Sequence, residues 1–198
     1  MIVETVARLR REFGIPVAPD IRGPVPLGRF FEQCNLAHTA LSGLNCGRVV
    51  EHLHAEGHTV EPFGESAEPL AGFLYFAGRI GHAFVNADDI LPRRRFTAAH
   101  ELGHAVLHRD RMGRYRADTD KTLLEGGDAT DELEREANAF AAELLMPEET
   151  VRARAVELKA LHGCCPSGVL GYRLSAEMLV SREAMRYRLK NLGVGDAE

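Results

Sequence analysis

Two histidines four residues apart, His100 and His104, enclose Glu101 in the pattern His-Glu-x-x-His within Arg95-Phe96-Thr97-Ala98-Ala99-His100-Glu101-Leu102-Gly103-His104-Ala105-Val106-Leu107-His108. On a helix, positions i and i+4 share a face, so these two imidazoles can grip one metal ion. Glu101 follows the first of them. Its carboxylate can take the proton of a water held there, the general-base arrangement of a zinc peptidase. Two imidazoles leave a catalytic zinc one protein ligand short, and the third is usually a histidine or an acid. The segment Asp131 to Leu145 has a strong helical pattern, and within it Glu134 and Asn138 are again four apart on one face. Glu134 can supply the third ligand while Asn138 orients a ligand imidazole, and Glu136 points away from Glu134.

A rival scheme takes the third ligand from the same helix, six residues after the second histidine, where Asp110 stands. That geometry needs a helix bend at a glycine, and Leu107 occupies the glycine position, which disfavours it. His108 is better suited to closing the helix end. Tyr115 is a candidate for stabilising an oxyanion, a role that spacing alone does not assign. His38, His52, His54 and His58 also invite a metal-site reading. Their spacing is irregular and no acidic partner recurs beside them, so surface or hydrogen-bonded histidines are the expectation.

The elements that must position these groups follow from periodicity. Residues 2 to 13 place Val3, Val6, Leu9 and Phe13 on one face of a short helix, and Gly14 with Pro16 ends it. Four prolines between Gly14 and Gly28 suit an extended arm. Helices are expected at about 29 to 41 and 45 to 56, bounded by Gly43 and Gly57. Residues 72 to 77 and 80 to 86 read as a β-hairpin through Gly78-Arg79, with Thr59 to Phe63 as a further strand. Pro92 precedes the basic triplet Arg93-Arg94-Arg95, expected at the surface or in ion pairs, and Thr97 is placed to cap the metal helix. Asp110 to Asp131 is polar and reads as a long loop, after which Thr130 caps the helix carrying Glu134. Pro147 opens the next helix, expected to run to about His162. Leu170 to Leu192 resembles a helix-turn-helix with its turn near Val180-Ser181. The second helix carries Arg182, Arg186, Arg188 and Lys190. It can offer a basic face to DNA or a partner, or simply pack on the rest of the chain.

The chain has 198 residues and a formal net charge of −5, room for a buried core and no overall charge that demands a nucleic acid or an acidic membrane. Cys34, Cys46, Cys164 and Cys165 show no Cys-x-x-Cys spacing, and adjacent cysteines rarely staple a secreted scaffold, so free thiols in a reduced compartment are expected. No apolar run approaches membrane-spanning length and the amino terminus has no signal-peptide core, which together predict a cytoplasmic protein with no membrane partner.

The pairing of the segment Arg95–His108 with Glu134-Arg-Glu-Ala-Asn-Ala-Phe-Ala-Ala-Glu-Leu-Leu-Met-Pro147 resembles the ImmA/IrrE family of bacterial and phage metallopeptidases. The resemblance spans roughly residues 93 to 147, and the strand pair before it fits the family's layout. It implies zinc bound by His100, His104 and Glu134, with Glu101 as catalytic base, in a gluzincin-like arrangement. It also implies a regulatory protease that cuts or inactivates a helix-turn-helix repressor after a stress or mobile-element signal. The expected fold is α+β: an N-terminal helix and Pro-rich arm over 1–28, then a zincin-like domain over 29–163 with a small sheet beside the His-Glu-x-x-His helix. A helix-turn-helix-like extension over 164–198 completes it. The function expected is zinc-dependent endopeptidase action on a protein repressor. The alternative is a DNA-binding or protein-binding stress or phage regulator that keeps the fold with little or no proteolysis.

Overall fold

The computed structural model describes residues 1–16, 23–63, 67–119, 132–162 and 167–194. In chain order the elements are α1 (Ile2–Glu12), α2 (Leu27–Gln33), β1 (Leu36–Leu41), α3 (Cys46–Ala55), β2 (Gly72–Ala77), β3 (Ile80–Asn86), α4 (Leu91–Leu107), β4 (Tyr115–Asp118), α5 (Glu132–Leu145), α6 (Glu148–His162), α7 (Ser167–Met178) and α8 (Arg182–Leu192). This is the α+β architecture expected, with a four-stranded mixed sheet in the order β1-β3-β2-β4. Contacts group the chain into two compact units, Leu27–Asn138 on one hand and Met1–Pro26 with Ala139–Glu198 on the other.

In the Leu27–Asn138 unit, β2 and β3 form the hairpin expected from the sequence, with Phe73 opposite Phe84 and Tyr75 opposite His82. Gly78, at φ 64, makes the tight connection that a side chain would strain. Successive strand residues face opposite sides. One side takes Phe73, Tyr75 and Phe84 into a core with Leu44, Val49 and Leu53, the last two from α3. The other side carries Gly72 and Leu74 toward α4. Asn45 caps α3 by accepting from the Arg48 N–H at 2.9 Å.

Four expectations are corrected here. The segment 29–41 is not one helix: α2 stops at Gln33, Asn35 turns the chain at φ 54, and Leu36–Leu41 pairs in parallel with β3. Its alternating Leu-Ala-His-Thr-Ala-Leu has no helical stripe strong enough to compete with a strand partner. Thr59 to Phe63 forms no strand. Thr97 is not a cap, because α4 starts six residues earlier, with Ile90 at the N-cap and Pro92 in the first turn. Arg93 is then ion-paired to Asp89 at 3.1 Å. Finally, the expected loop after Asp110 contains β4, which pairs antiparallel with β2. Thr130, expected as the α5 cap, and the rest of the loop over 120–131 lie outside the described residues.

In the other unit, α7 and α8 form the expected helix pair. Leu179, at φ 51, turns the chain, and the Ser181 side chain caps α8 by accepting from the Ala184 N–H. Gly193, left-handed at φ 61, closes it. Buried Arg10 on α1 donates to the Leu144 carbonyl at 3.1 Å. Arg154 on α6 grips the Glu177 carboxylate of α7 with two nitrogens, at 2.7 and 2.9 Å. Cys34 and Cys46 are free thiols, and Cys164 and Cys165 lie outside the described residues. Among the described residues, no helix is long and apolar enough to cross a membrane.

Candidate metal centre

The site begins on α4, whose buried face carries His100, Glu101, His104 and His108. The first turn of α5 brings Glu134 to the same point. Its Oε2 is 3.3 Å from His100 Nε2 and its Oε1 is 3.1 Å from His104 Nε2. The two Nε2 atoms are themselves 2.9 Å apart.

The proton on each ring is fixed from behind. Asn138, one turn beyond Glu134, places its amide oxygen 2.9 Å from His100 Nδ1, so that nitrogen carries the proton and Nε2 presents a lone pair. Behind His104 the path is longer. His108 Nε2 lies 2.9 Å from Glu136 Oε2, and a carboxylate can only accept. With its Nε2 proton directed at Glu136, the other ring nitrogen of His108 faces His104 Nδ1, 3.0 Å away; where that nitrogen accepts, His104 carries its proton on Nδ1 and leaves Nε2 bare as well. Two imidazole lone pairs and a carboxylate thus converge on one point with no proton between them. That arrangement is repulsive alone and fits a cation.

β4 adds what the sequence did not announce. Asp118, paired with Gly72 in the sheet, is fully buried, and its Oδ2 lies 3.7 Å from His100 Nε2. Single ligand atoms of His100, His104, Asp118 and Glu134 all fall within 4.8 Å of one another. Arg116, on the same face of β4, pairs with both Glu134 and Asp118 and offsets part of their charge. The carboxylate oxygens of Glu101 and Asp118, and Oε2 of Glu134, are buried without a hydrogen-bond partner. Buried oxygens are rarely left in that condition, which again fits a divalent ion bound by this donor set.

Protonation follows the surroundings. Burial pushes the Glu101 carboxyl well above the ordinary carboxylate range, with the charges of Asp118 and Glu134 adding to the effect and Arg116 opposing it. For Glu134, burial acts upward, but positive charge on the side of His100 and His104 outweighs it and holds the carboxyl below its usual range, and a cation held by bare Nε2 atoms acts in the same direction as protons on them. Burial favours neutral His104, the form a metal ligand needs.

Gly72 makes room for Glu101. A Cβ there would overlap Glu101 Oε1 and stand 2.8 Å from Thr97 Cγ2. Only the bare backbone of β2 lets the carboxylate lie so close.

The structure therefore brings together His100, Glu101, His104, Glu134 and Asn138. Tyr115 is placed elsewhere. It sits on β4 one residue from Arg116, so it faces the opposite side of the sheet, stacks on Phe73 at 5.7 Å between centroids and is 44% exposed. Its candidacy for an oxyanion contact is corrected on that ground. Asp110 is exposed and outside the ligand group. Glu136 does point away from Glu134, toward His108. Of the basic residues on α8, Arg188 is turned inward, donating to the Met146 carbonyl at 2.9 Å and paired with Glu143. Arg182 and Arg186 lie over Tyr172 and Tyr187, and Lys190 is exposed.

The sequence matches Peptidase_M78, the IrrE N-terminal-like domain, over residues 59–190, more than half of the chain. The chain belongs to this family. The IrrE-like match takes in both motif halves, β2 to β4 and the helices through most of α8. The chain is also similar to "Uncharacterized immunity region protein 2" of Bacillus phage phi105, 36% identical over 86 residues, or 41% of this chain. It spans about half, 48%, of that relative's length. The match identifies a metallopeptidase-like protein. Within the matched segment lies the buried group of two histidines and two acids that could hold a metal ion.

Proposed function

We propose that this chain is a zinc-dependent endopeptidase of regulatory type, whose substrate is a helix-turn-helix repressor or a similar protein partner. The observation that carries the reading is the convergence of His100 Nε2, His104 Nε2 and the Glu134 carboxylate beside buried, unpartnered Glu101. Zinc is the ion best matched to two imidazoles and a carboxylate with a position left open. The likeness to a phage immunity-region protein supports a regulatory target.

His100, His104 and Glu134 would hold the ion, with Asp118 in reach of it. When bound, it supplies Lewis acidity, polarising the scissile carbonyl and making water a better nucleophile. Glu101 removes the proton from the attacking water and returns it to the leaving amine. Its full burial, which favours the protonated carboxyl, suits a group that must hold the proton between the two steps. Asn138 on one side, and His108 with Glu136 on the other, keep the ligand rings in the tautomer that faces the ion.

The test is Glu101→Gln. We expect zinc content to stay at the wild-type level while cleavage of the partner repressor falls by about 10²–10⁴-fold, the range for loss of a general base. Normal cleavage by the variant would rule the mechanism out.

A further inference from the structure

A second group of imidazoles surrounds a carboxylate on the other side of the sheet. His52 and Glu56 are one turn apart at the carboxy-terminal end of α3, and His58 follows across Gly57, whose φ of 86 turns the chain. His82 comes from β3. It stands opposite Tyr75 in the hairpin and shares a face with Phe84, away from the Gly72 face that meets Glu101. Glu56 lies between two rings, with Oε1 3.3 Å from His52 Nε2 and Oε2 3.5 Å from His82 Nδ1. The His58 and His82 rings meet edge-on with centroids 4.7 Å apart. One ligand atom each from Glu56, His58 and His82 falls within a common 4.8 Å.

Ordinary hydrogen bonding does not account for this group. Charge-assisted N–H to carboxylate bonds run about 2.7–2.9 Å, and both separations to Glu56 are longer. His82 is 5% exposed, yet its Nε2 has no hydrogen-bond partner, and neither has the buried Nε2 of His52. Burial, with His58 and His52 nearby, disfavours the charged form of His82, and Glu56 opposes this only in part. The neighbouring His54 is already engaged, its Nε2 lying 3.1 Å from the Val60 carbonyl, which ties down the segment that carries His58.

We propose that Glu56, His58 and His82, with His52 in reach, form a second binding site for a borderline divalent metal ion such as Zn²⁺, separated by the sheet from the His100–His104–Glu134 centre. Two imidazoles and a carboxylate are a donor set for zinc and its first-row neighbours and a poor one for Mg²⁺ or Ca²⁺. Glu56 is 41% exposed, so the ion exchanges with solvent. It also clips β3 to the end of α3, closing the loop through His58. The inference does not depend on the protein being a peptidase.

The experiment counts Zn²⁺ bound by the metal-stripped full chain in equilibrium dialysis, with competing Mg²⁺ present. Wild type is compared with a His58→Ala/Glu56→Gln variant, chosen because both residues lie at the margin of the fold while His82 is buried. We expect the variant to bind one equivalent fewer than wild type and to keep the equivalent held by His100, His104 and Glu134. A His100→Ala/His104→Ala variant should keep the equivalent that the first variant loses, and its His82 ring nitrogens should shift on Zn²⁺ addition in ¹⁵N spectra. Equal metal content in wild type and His58→Ala/Glu56→Gln overturns the proposal, as does a zinc-insensitive His82 ring. Failure of cleavage assays would bear on the peptidase reading and leave this count untouched.

Discussion

At Gly72 the site depends on an atom that is missing. The strand passes so close to Glu101 that a single methyl group would meet its carboxylate and the Thr97 side chain. Gly72→Ala should therefore push Glu101 aside while His100, His104 and Glu134 keep their places. A displacement near 1 Å at a reacting group can cost about 100-fold in rate, and the overpacking itself costs about 1–3 kcal/mol. Kinetics with metal analysis on the same preparation would check this. An active Gly72→Ala enzyme would mean that Glu101 does not work from the observed position. The histidines show the same dependence on what lies behind them. His104 owes its ring orientation to His108 and, through it, to Glu136. The sequence offers His100, His104 and His108 at a constant spacing of four. His108 stands at the helix end as the C-cap, and its ring also backs His104. Glu136→Ala should weaken metal binding by about 10–100-fold, the usual effect of losing such an outer partner. Competition with a chelating dye measures it, and unchanged helix content by circular dichroism would show that the fold is intact.

Among the elements, β4 was the hardest to read and α4 the easiest. A half-buried strand normally alternates apolar and polar residues, with the apolar ones toward the core. In Tyr115-Arg-Ala-Asp the residues facing α4 are Arg116 and Asp118, whose charges are paired with each other and, through Arg116, with Glu134 beside His100 and His104. The core-facing pair is only Tyr115 and Ala117, so a functional strand looks like a polar loop. The helical pair α7 and α8 was legible, but the use of its basic residues was not. Arg188 reads in sequence as part of a basic face, yet it is turned inward to Glu143 and the Met146 carbonyl. Arg188→Ala leaves a largely buried carboxylate without its partner and should cost about 3 kcal/mol, near the lower end for broken buried pairs. Arg186→Ala, at an exposed position, should stay within about 0.5 kcal/mol. Urea unfolding of the two variants provides the comparison, and equal stabilities would contradict the inward role of Arg188.

At the scale of the whole molecule, the metal centre joins α4 to the start of α5 and to β4 across more than thirty residues of sequence. Without an ion, Glu101, Asp118 and Glu134 remain as a buried cluster of acids, balanced in part by Arg116. Metal should therefore act as a folding ligand. Binding at one hundred times the dissociation constant is worth about 2.7 kcal/mol, and a chain of this size shifts by roughly 2–4 °C per kcal/mol. Chelation is expected to lower the melting temperature by about 5–10 °C, with recovery on adding Zn²⁺. A melting temperature indifferent to chelation would mean that the acids and imidazoles are not held together by an ion.

The sequence by itself determined the two halves of the centre, because helical periodicity fixes which residues share a face: His100 with His104, and Glu134 with Asn138. It also determined the β2–β3 hairpin, whose strands are neighbours joined by Gly78, and the succession of helices after Pro147. Only the tertiary structure decided that Asp118 and Arg116 join the centre and that Tyr115 does not. It alone gathered His52, His58 and His82 around Glu56. In each case the deciding contact runs through the pairing of a strand with others, and that pairing is set by the packing of the whole sheet rather than by any local pattern.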